Sequence, residues 1–264
     1  MYFRSGRPPK PLMAGVSALS YSQPYVRNLN RTMQELVKIE QYVVQMMESF
    51  LVPEFKVGHA FPHIDRVRRR ARYIAEREAP QQKILVEAAA LLHDVGLTQV
   101  TERRHHGTVG AECARQYLDE HQCFSPAERT QITEAIQAHT QLRGGGIVGD
   151  IVRDADILDM LGAVGIMRAF QSLDGRPAYH RHKVKGETWG ITADGITQRF
   201  AEGKGTGETI IDHLNFQLSC AENLSTHTAK TLVRPLHTVL RDYILQLERE
   251  VAGSSKHAAH LLDM

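Results

Sequence analysis

The chain has few cysteines and almost no net charge, and each shortage argues against a class of protein. Its three cysteines, Cys113, Cys123 and Cys220, are scattered and form no Cys-x-x-Cys pair. This pattern does not fit a disulfide framework or a thiolate-rich zinc site, and it predicts a reducing, intracellular compartment. A formal net charge of +2 over 264 residues provides no global field that would attract nucleic acid.

Long hydrophobic runs are absent as well. No apolar stretch reaches the ~20 residues that a membrane-spanning helix requires. The basic residues at the N-terminus precede a segment, residues 11–20, that is too polar and too rich in small residues for the apolar part of a signal peptide. We therefore expect a cytoplasmic protein without a membrane partner.

Strand-like alternation and internal repeats are missing too, and helical periodicity is found in their place. The pattern predicts an all-α fold, with an extended or disordered lead-in at residues 1–30, a helical bundle over 31–252 and a frayed tail at 253–264. Residues 174–206 are rich in glycine and predict a long loop of the kind that is often functional. Six predicted helices cover residues 31–51, 62–79, 81–93, 107–121, 209–221 and 228–251. Two more are predicted between them: a capped helix that begins after Ser125, and a long helix through Asp156 and Ala163.

His93 and Asp94 are the most informative residues, because they close an apolar run, residues 84–92, that is typical of a buried helix. Burying an imidazole beside a carboxylate is costly unless both groups are paired or bind a cation. Upstream, His63 shares the inward face of its predicted helix with Val67. Downstream lies Asp156. Two histidines and two carboxylates form a set that suits Mn²⁺, Mg²⁺, Fe²⁺, Ni²⁺ or Co²⁺.

These residues, in this order, resemble the HD-domain superfamily of metal-dependent phosphohydrolases. The matching elements are His63, the His93-Asp94 pair and Asp156. The run Asp-Ala-Asp-Ile-Leu-Asp-Met-Leu-Gly-Ala at residues 154–163 is similar to one branch, the small nucleotide pyrophosphohydrolase-like HD proteins. Gly-Arg-Pro-Ala-Tyr at residues 175–179 and His-Leu at 213–214 are similar to later motifs of that branch. The resemblance covers roughly residues 55–250.

The resemblance implies a helical HD-domain bundle in which His63, His93, Asp94 and Asp156 bind the metal. Some members of the superfamily hold a second ion with histidines between the His-Asp pair and the last Asp, which gives His106 and His139 this role here. The alternative is that His106 caps a helix and His139 is a hydrogen-bonded core histidine. One or two divalent ions are therefore expected. Two further roles are predicted: Asp159, one turn after Asp156, positions a ligand, and His59 is a neighbour of the site.

A phosphorylated substrate also requires positive charge. We expect Arg66, Arg176 and Lys183 to bind substrate phosphate. The alternative for Arg176 and Lys183 is a solvated basic loop, and the alternative for Arg66 is an ion pair with a carboxylate of the site. The other arginines of residues 66–72 are interpreted as a solvated helix face, so no nucleic-acid partner is predicted.

The leading functional hypothesis is a metal-dependent phosphohydrolase that attacks a nucleotide or a small phosphate ester with a metal-activated water. The nearest branch suggests pyrophosphate release from a nucleoside triphosphate. A second hypothesis is an HD-type diiron oxygenase that cleaves a C–C or C–P bond, which the His106 and His139 pair leaves open. A third is a non-catalytic HD regulatory protein, and the complete ligand set argues against it.

Overall fold

The computed structural model describes residues 23–173 and 175–252, and this part of the chain is helical. Its only β feature is an isolated bridge between His180 and Lys183. No helix within it is long and apolar enough to cross a membrane. The described residues form ten α-helices: α1 (Gln23–Met46), α2 (Phe61–Glu78), α3 (Lys83–Leu92), α4 (His106–Glu120), α5 (Pro126–Ala138), α6 (Gly146–Asp159), α7 (Gly162–Ser172), α8 (Ala193–Ala201), α9 (Ile210–Cys220) and α10 (His227–Val251).

Helix α3 is the centre of the bundle. Every residue from 85 to 92 is buried, because α1, α2, α5 and α6 all pack against it. A helix that is apolar on all sides is stable only when neighbours surround it, and this explains the run of alanine and leucine. The C-terminal end of α3 therefore lies inside the protein, and His93 and Asp94 follow it there with almost no exposure.

The segment after Asp94 lies unusually close to α4. A Cβ atom on Gly96 would fall 2.1 Å from the carbonyl oxygen of His106 and 2.5 Å from the backbone nitrogen of Gly110. Only glycine permits this approach of two backbones. The contact brings the first turn of α4, and with it His106, to the end of α3.

Several predicted helices are confirmed. Helix α2 begins at Phe61 with Pro62 in its first turn, and α5 begins with the predicted capping box. In that box the Glu128 backbone N–H donates to Ser125 Oγ at 3.4 Å, and the Ser125 backbone N–H donates to the Glu128 carboxylate at 2.8 Å. Caps of this kind satisfy backbone donors that the first helical turn leaves free.

Three boundaries differ from the prediction. Helix α1 spans Gln23–Met46 rather than 31–51, so residues 23–30 of the expected lead-in are helical, while residues 1–22 and the tail 253–264 lie outside the described residues. The long helix through Ala163 is two helices, because Gly162 adopts a positive φ of 68° between α6 and α7. The loop predicted at 174–206 contains α8, whose N-cap Thr192 accepts from the Gly195 backbone N–H.

The C-terminal helix is attached to α6 by a buried carboxylate. Asp154 has 0% exposure and accepts hydrogen bonds from the Ser225 backbone N–H at 2.9 Å and from the Thr226 backbone N–H at 2.7 Å. The Thr226 hydroxyl donates to the same carboxylate at 2.7 Å. Asp154 thus caps the start of α10 from the interior of the bundle.

Candidate metal centre

The four predicted ligands converge from three helices. His63 comes from α2, the His93-Asp94 pair from the end of α3, and Asp156 from α6. His63 Nε2 lies 3.3 Å from Asp94 Oδ2 and 3.5 Å from Asp156 Oδ1. His93 Nε2 lies 3.4 Å from the same Asp94 oxygen. Sequence separations of about 30 and 60 residues thus close into one cluster.

His106 and His139 face the other oxygen of Asp94. Asp94 Oδ1 lies 3.5 Å from His106 Nε2 and 3.6 Å from His139 Nε2, and the two Nε2 atoms are 3.1 Å apart. Asp94 therefore stands between two groups of ligand atoms, each within 4.8 Å of one another: His63, His93 and Asp94 form the first, and Asp94, His106 and His139 form the second.

All four imidazoles are held in the same tautomer. A carbonyl or carboxylate oxygen accepts the Nδ1 hydrogen of each ring, which leaves the Nε2 lone pair free to bind a cation. The acceptors are Asp159 Oδ2 for His63 at 2.8 Å, the Ala90 carbonyl for His93 at 2.8 Å, the Arg103 carbonyl for His106 at 2.5 Å and the Ile136 carbonyl for His139 at 2.6 Å.

This arrangement fits a divalent cation. His93 Nε2 and Asp94 Oδ2 are buried and have no hydrogen-bond partner in the structure, and such polar atoms are costly inside a protein. Several nitrogen lone pairs directed at one carboxylate require a positive charge among them. Imidazole and carboxylate ligands without thiolates suit Mn, Fe, Co, Ni or Mg, as the sequence predicts. Asp156 has the most exposed side chain of the set, at 26%, and marks the side open to solvent.

The charge of Asp94 also controls the proton on His93. Burial alone would lower the pKa of His93, but the adjacent carboxylate outweighs burial and raises that pKa to about 9. The neighbouring histidines hold the pKa of Asp94 well below its usual range, although burial opposes this. In His139, burial lowers the pKa. Without a metal, the compensating proton therefore lies on His93.

A metal ion must displace this proton, so metal binding depends on pH. With a folded pKa near 9 and an unfolded pKa of about 6.5, the protonated His93 stabilises the metal-free protein fully below pH 6.5, and this contribution is lost as the pH rises through 9. We expect the increase in Tm on adding micromolar Mn²⁺ anaerobically, relative to EDTA, to become larger from pH 6.5 to pH 9. A metal-induced Tm increase that stays constant over this window would contradict the assignment.

Asp159 contacts the Nδ1 side of the His63 ring and forms ion pairs with three arginines. It is fully buried and pairs with Arg70, with Arg168 at 3.0 Å, and with Arg66 through Nε at 2.9 Å and a terminal nitrogen at 3.0 Å. Burial opposes ionisation of Asp159, but His63 and the arginines outweigh it and hold its pKa far below the ordinary range. The structure thus places Asp159 where it can fix the His63 ring, as the sequence predicts.

These contacts correct the expectation for Arg66. Its guanidinium faces Asp159 and not the open side of the cluster, because both residues lie on the inner faces of packed helices, α2 and α6. The alternative prediction, an ion pair with a carboxylate of the site, agrees with the contacts.

The two loop cations lie elsewhere. Arg176 is exposed and donates only to neutral oxygens, Thr206 Oγ1 at 3.4 Å and the Gly207 carbonyl at 3.3 Å. Lys183 is exposed and lines a groove of about 240 Å³ with His180 and Glu208. No described contact joins either cation to the His and Asp cluster.

Sequence reasoning missed Arg103, and it gave His213 only as part of a motif, without a role. Arg103 supplies the carbonyl that orients His106. His213 lies on α9, where burial, followed by the charges of Arg103, Arg176 and Arg168, lowers its pKa to about 4. The only sequence signal for Arg103 was its position three residues before His106.

Comparison with known proteins agrees with this geometry. Residues 61–161 match the family model of the HD domain, and these residues contain every histidine and aspartate of the cluster. The uncharacterized protein YpgQ of Bacillus subtilis strain 168 is 27% identical over an alignment of 238 residues, and the match covers 84% of this chain and 97% of YpgQ.

Solved structures show the same fold. The crystal structure of Bacillus subtilis YpgQ in complex with ADP has 25% identity and a TM-score of 0.58, covering 84% of this chain and 97% of YpgQ. A Lactobacillus plantarum protein has 25% identity and a TM-score of 0.62, with 84% and 98% covered. An HD-superfamily hydrolase from Bacillus thuringiensis has 23% identity and a TM-score of 0.57, with 84% and 100% covered. At 23% identity, this last match concerns the fold alone.

Proposed function

Residues 61–161 match the family model of the HD domain, and from this premise we propose that the chain is a metal-dependent phosphohydrolase acting on a nucleotide. One observation carries the proposal: the Nε2 atoms of four histidines converge on the two oxygens of the buried Asp94 carboxylate, at 3.3–3.6 Å. A site of this kind has little purpose without cations, and paired divalent ions are well suited to phosphoryl chemistry.

In this proposal His63, His93, Asp94 and Asp156 hold one ion, and Asp94, His106 and His139 hold a second. When bound there, divalent ions would supply polarisation of a phosphoryl oxygen and a water of lowered pKa.

The side chains of the protein supply the remaining steps. The carbonyl acceptors behind the rings of His93, His106 and His139 hold the Nδ1 atoms and so direct the Nε2 atoms towards Asp94. Asp156 is partly exposed, so a carboxylate oxygen at the open side of the site can accept the proton of the attacking water. The buried walls contributed by α3 and α5 exclude bulk water from the opposite side.

The nucleotide part of the proposal has two supports. YpgQ, which matches this chain over most of its length, crystallised with ADP. Arg176 carries a charge that no carboxylate neutralises among the residues that the structure describes, and it acts on His213 together with Arg103. Arginine binds phosphate oxygens well, so we retain Arg176 as a phosphate contact. Lys183 remains a prediction for an exposed loop.

The test is hydrolysis of a panel of nucleoside mono-, di- and triphosphates, followed by identification of the phosphorus product. The purified protein is first stripped of metal and reloaded with Mn²⁺. We expect release of pyrophosphate or phosphate that requires the added metal. No phosphorus product from any compound, with metal bound, would disprove the proposal.

A second candidate is a diiron oxygenase, and the 3.1 Å separation of His106 Nε2 and His139 Nε2 favours it, because it completes a second histidine-containing ligand group. Iron content of the protein as purified, together with O₂ consumption in the presence of organophosphonates and cyclic polyols, distinguishes the two. Metal-dependent hydrolysis without O₂ uptake would exclude the oxygenase.

A further inference from the structure

Arg103 is an exposed arginine that a buried histidine holds in place. Its terminal nitrogen donates to His59 Nε2 at 2.6 Å. The His59 Nδ1 hydrogen is directed at the Val57 carbonyl, 3.3 Å away, so Nε2 carries the lone pair that the guanidinium requires. Because His59 is only 7% exposed, the acceptor is fixed. Within residues 23–173 and 175–252, no carboxylate lies at ion-pair distance from Arg103, so its charge remains available to an anion.

The contacts of Arg103 place it above the metal centre. The His59 ring packs edge-on against the ring of His63, with centroids 5.6 Å apart, so the guanidinium adjoins the first ligand group. The backbone carbonyl of Arg103 orients His106 in the second group. Partial burial lowers the pKa of Arg103, and the negative charges of Asp94 and Asp156 oppose this effect. One residue therefore adjoins both halves of the site.

The chemistry of Arg103 fits a phosphate group. A guanidinium group with no carboxylate at ion-pair distance can donate two parallel hydrogen bonds to phosphate oxygens. Its hydrogen bond to His59 leaves its other N–H groups available for this contact.

We propose that Arg103 binds a phosphate of the substrate beyond the one that is attacked, and that His59 is a positioning residue for Arg103. This inference rests on the proposed function and assigns a substrate-binding residue to it. The hydrogen bond to Arg103 occupies the Nε2 atom of His59, a buried histidine whose ring packs against His63.

The first test compares Arg103→Ala with the matched control Arg104→Ala. Arg104 is 74% exposed on its side chain and pairs with Glu102. For the best nucleoside triphosphate, we expect kcat/KM of Arg103→Ala to fall about 100-fold, mainly through KM, with bound metal unchanged. Arg104→Ala should lose about fivefold or less. For bis(4-nitrophenyl) phosphate, which carries one negative charge, Arg103→Ala should lose far less than for the triphosphate.

The second test concerns His59. His59→Leu removes the acceptor and should reproduce the increase in KM for the triphosphate, whereas His59→Gln places Oε1 near the position of Nε2 and should restore much of the affinity. Metal content measured for both variants identifies damage to the ligands. A merely structural role for His59 would lower the activity of both variants on both substrates equally.

The outcomes separate the inference from the proposed function. If the wild-type protein hydrolyses nucleotides and Arg103→Ala behaves like Arg104→Ala, the inference is wrong and the proposed function stands. If the wild-type protein hydrolyses nothing, the proposed function is wrong, and ADP binding measured calorimetrically with Mn²⁺ decides the inference. Weaker binding in Arg103→Ala alone supports it, and equal or absent binding overturns it.

Discussion

Asp94→Asn should abolish both hydrolysis and metal retention. Each oxygen of Asp94 faces a different pair of histidines, His63 with His93 and His106 with His139, at 3.3–3.6 Å. A carboxamide has a similar shape but no charge, and its NH₂ group cannot bind a cation. Substitution of residues that only orient metal ligands reduces metal affinity or activity about 10–100-fold. Loss of Asp94, a ligand shared by both groups, should therefore reduce kcat by more than about 100-fold.

The measurement is phosphate release together with metal content after dialysis. Asp119→Asn is a suitable control, because Asp119 is an exposed carboxylate that pairs with Arg129 on the surface. Circular dichroism establishes that Asp94→Asn is folded. Activity of the folded Asp94→Asn within tenfold of the control would refute the metal centre as described.

Asp159→Asn should have the largest effect on stability. The carboxylate is fully buried, and its removal leaves Arg66, Arg70 and Arg168 facing one another without a counterion. Breaking a buried ion pair costs about 3–5 kcal/mol. We expect about 3 kcal/mol here, at the lower end of that range, because the side chains of Arg66 and Arg70 are 25% and 24% exposed and retain some hydration.

The same substitution should weaken metal binding, because Asp159 fixes the Nδ1 atom of His63. Affinity for Mn²⁺ should fall about 10–100-fold. Urea unfolding gives the first quantity and calorimetric titration gives the second. Asp65→Asn removes an exposed i,i+4 pair with Arg69 and should cost less than about 1 kcal/mol. If Asp159→Asn resembled Asp65→Asn in both measurements, Asp159 would have no role in positioning His63.

The periodicity of the sequence was sufficient to predict that His63 and the His93-Asp94 pair face the core, and the resemblance to the HD-domain superfamily added Asp156 as the fourth ligand. His63 shares a helical face with Val67, and α3 is apolar apart from Lys83 and Glu87, so both helices present these residues to the core. Because the His93-Asp94 pair was predicted to be buried, it required ionic partners or a bound cation. These inferences depend only on which residues are buried, and the local hydrophobic periodicity of the sequence indicates this.

The direction in which side chains point, and how deeply they are buried, were harder to predict. The sequence alone left His106 and His139 as either capping or core residues. Their contact depends on the close approach of Gly96 to α4, which is a tertiary contact. Arg66 was expected to bind substrate phosphate. It pairs with Asp159, which is 93 residues away in the sequence, so no local pattern indicated this partner. Arg103 lies in a short stretch before α4 that has no periodicity. The break at Gly162 was missed because apolar residues continue through it.

Helix α6 holds its neighbours through three carboxylates that point in two directions. Asp156 and Asp159 face the two nitrogens of the single ring of His63, and Asp154 faces the opposite way and caps α10. A register shift of one residue turns a helix by about 100° and would withdraw all three carboxylates at once. Helix α6 is therefore locked against rotation, and any opening that admits a ligand has to come from segments that do not carry these carboxylates.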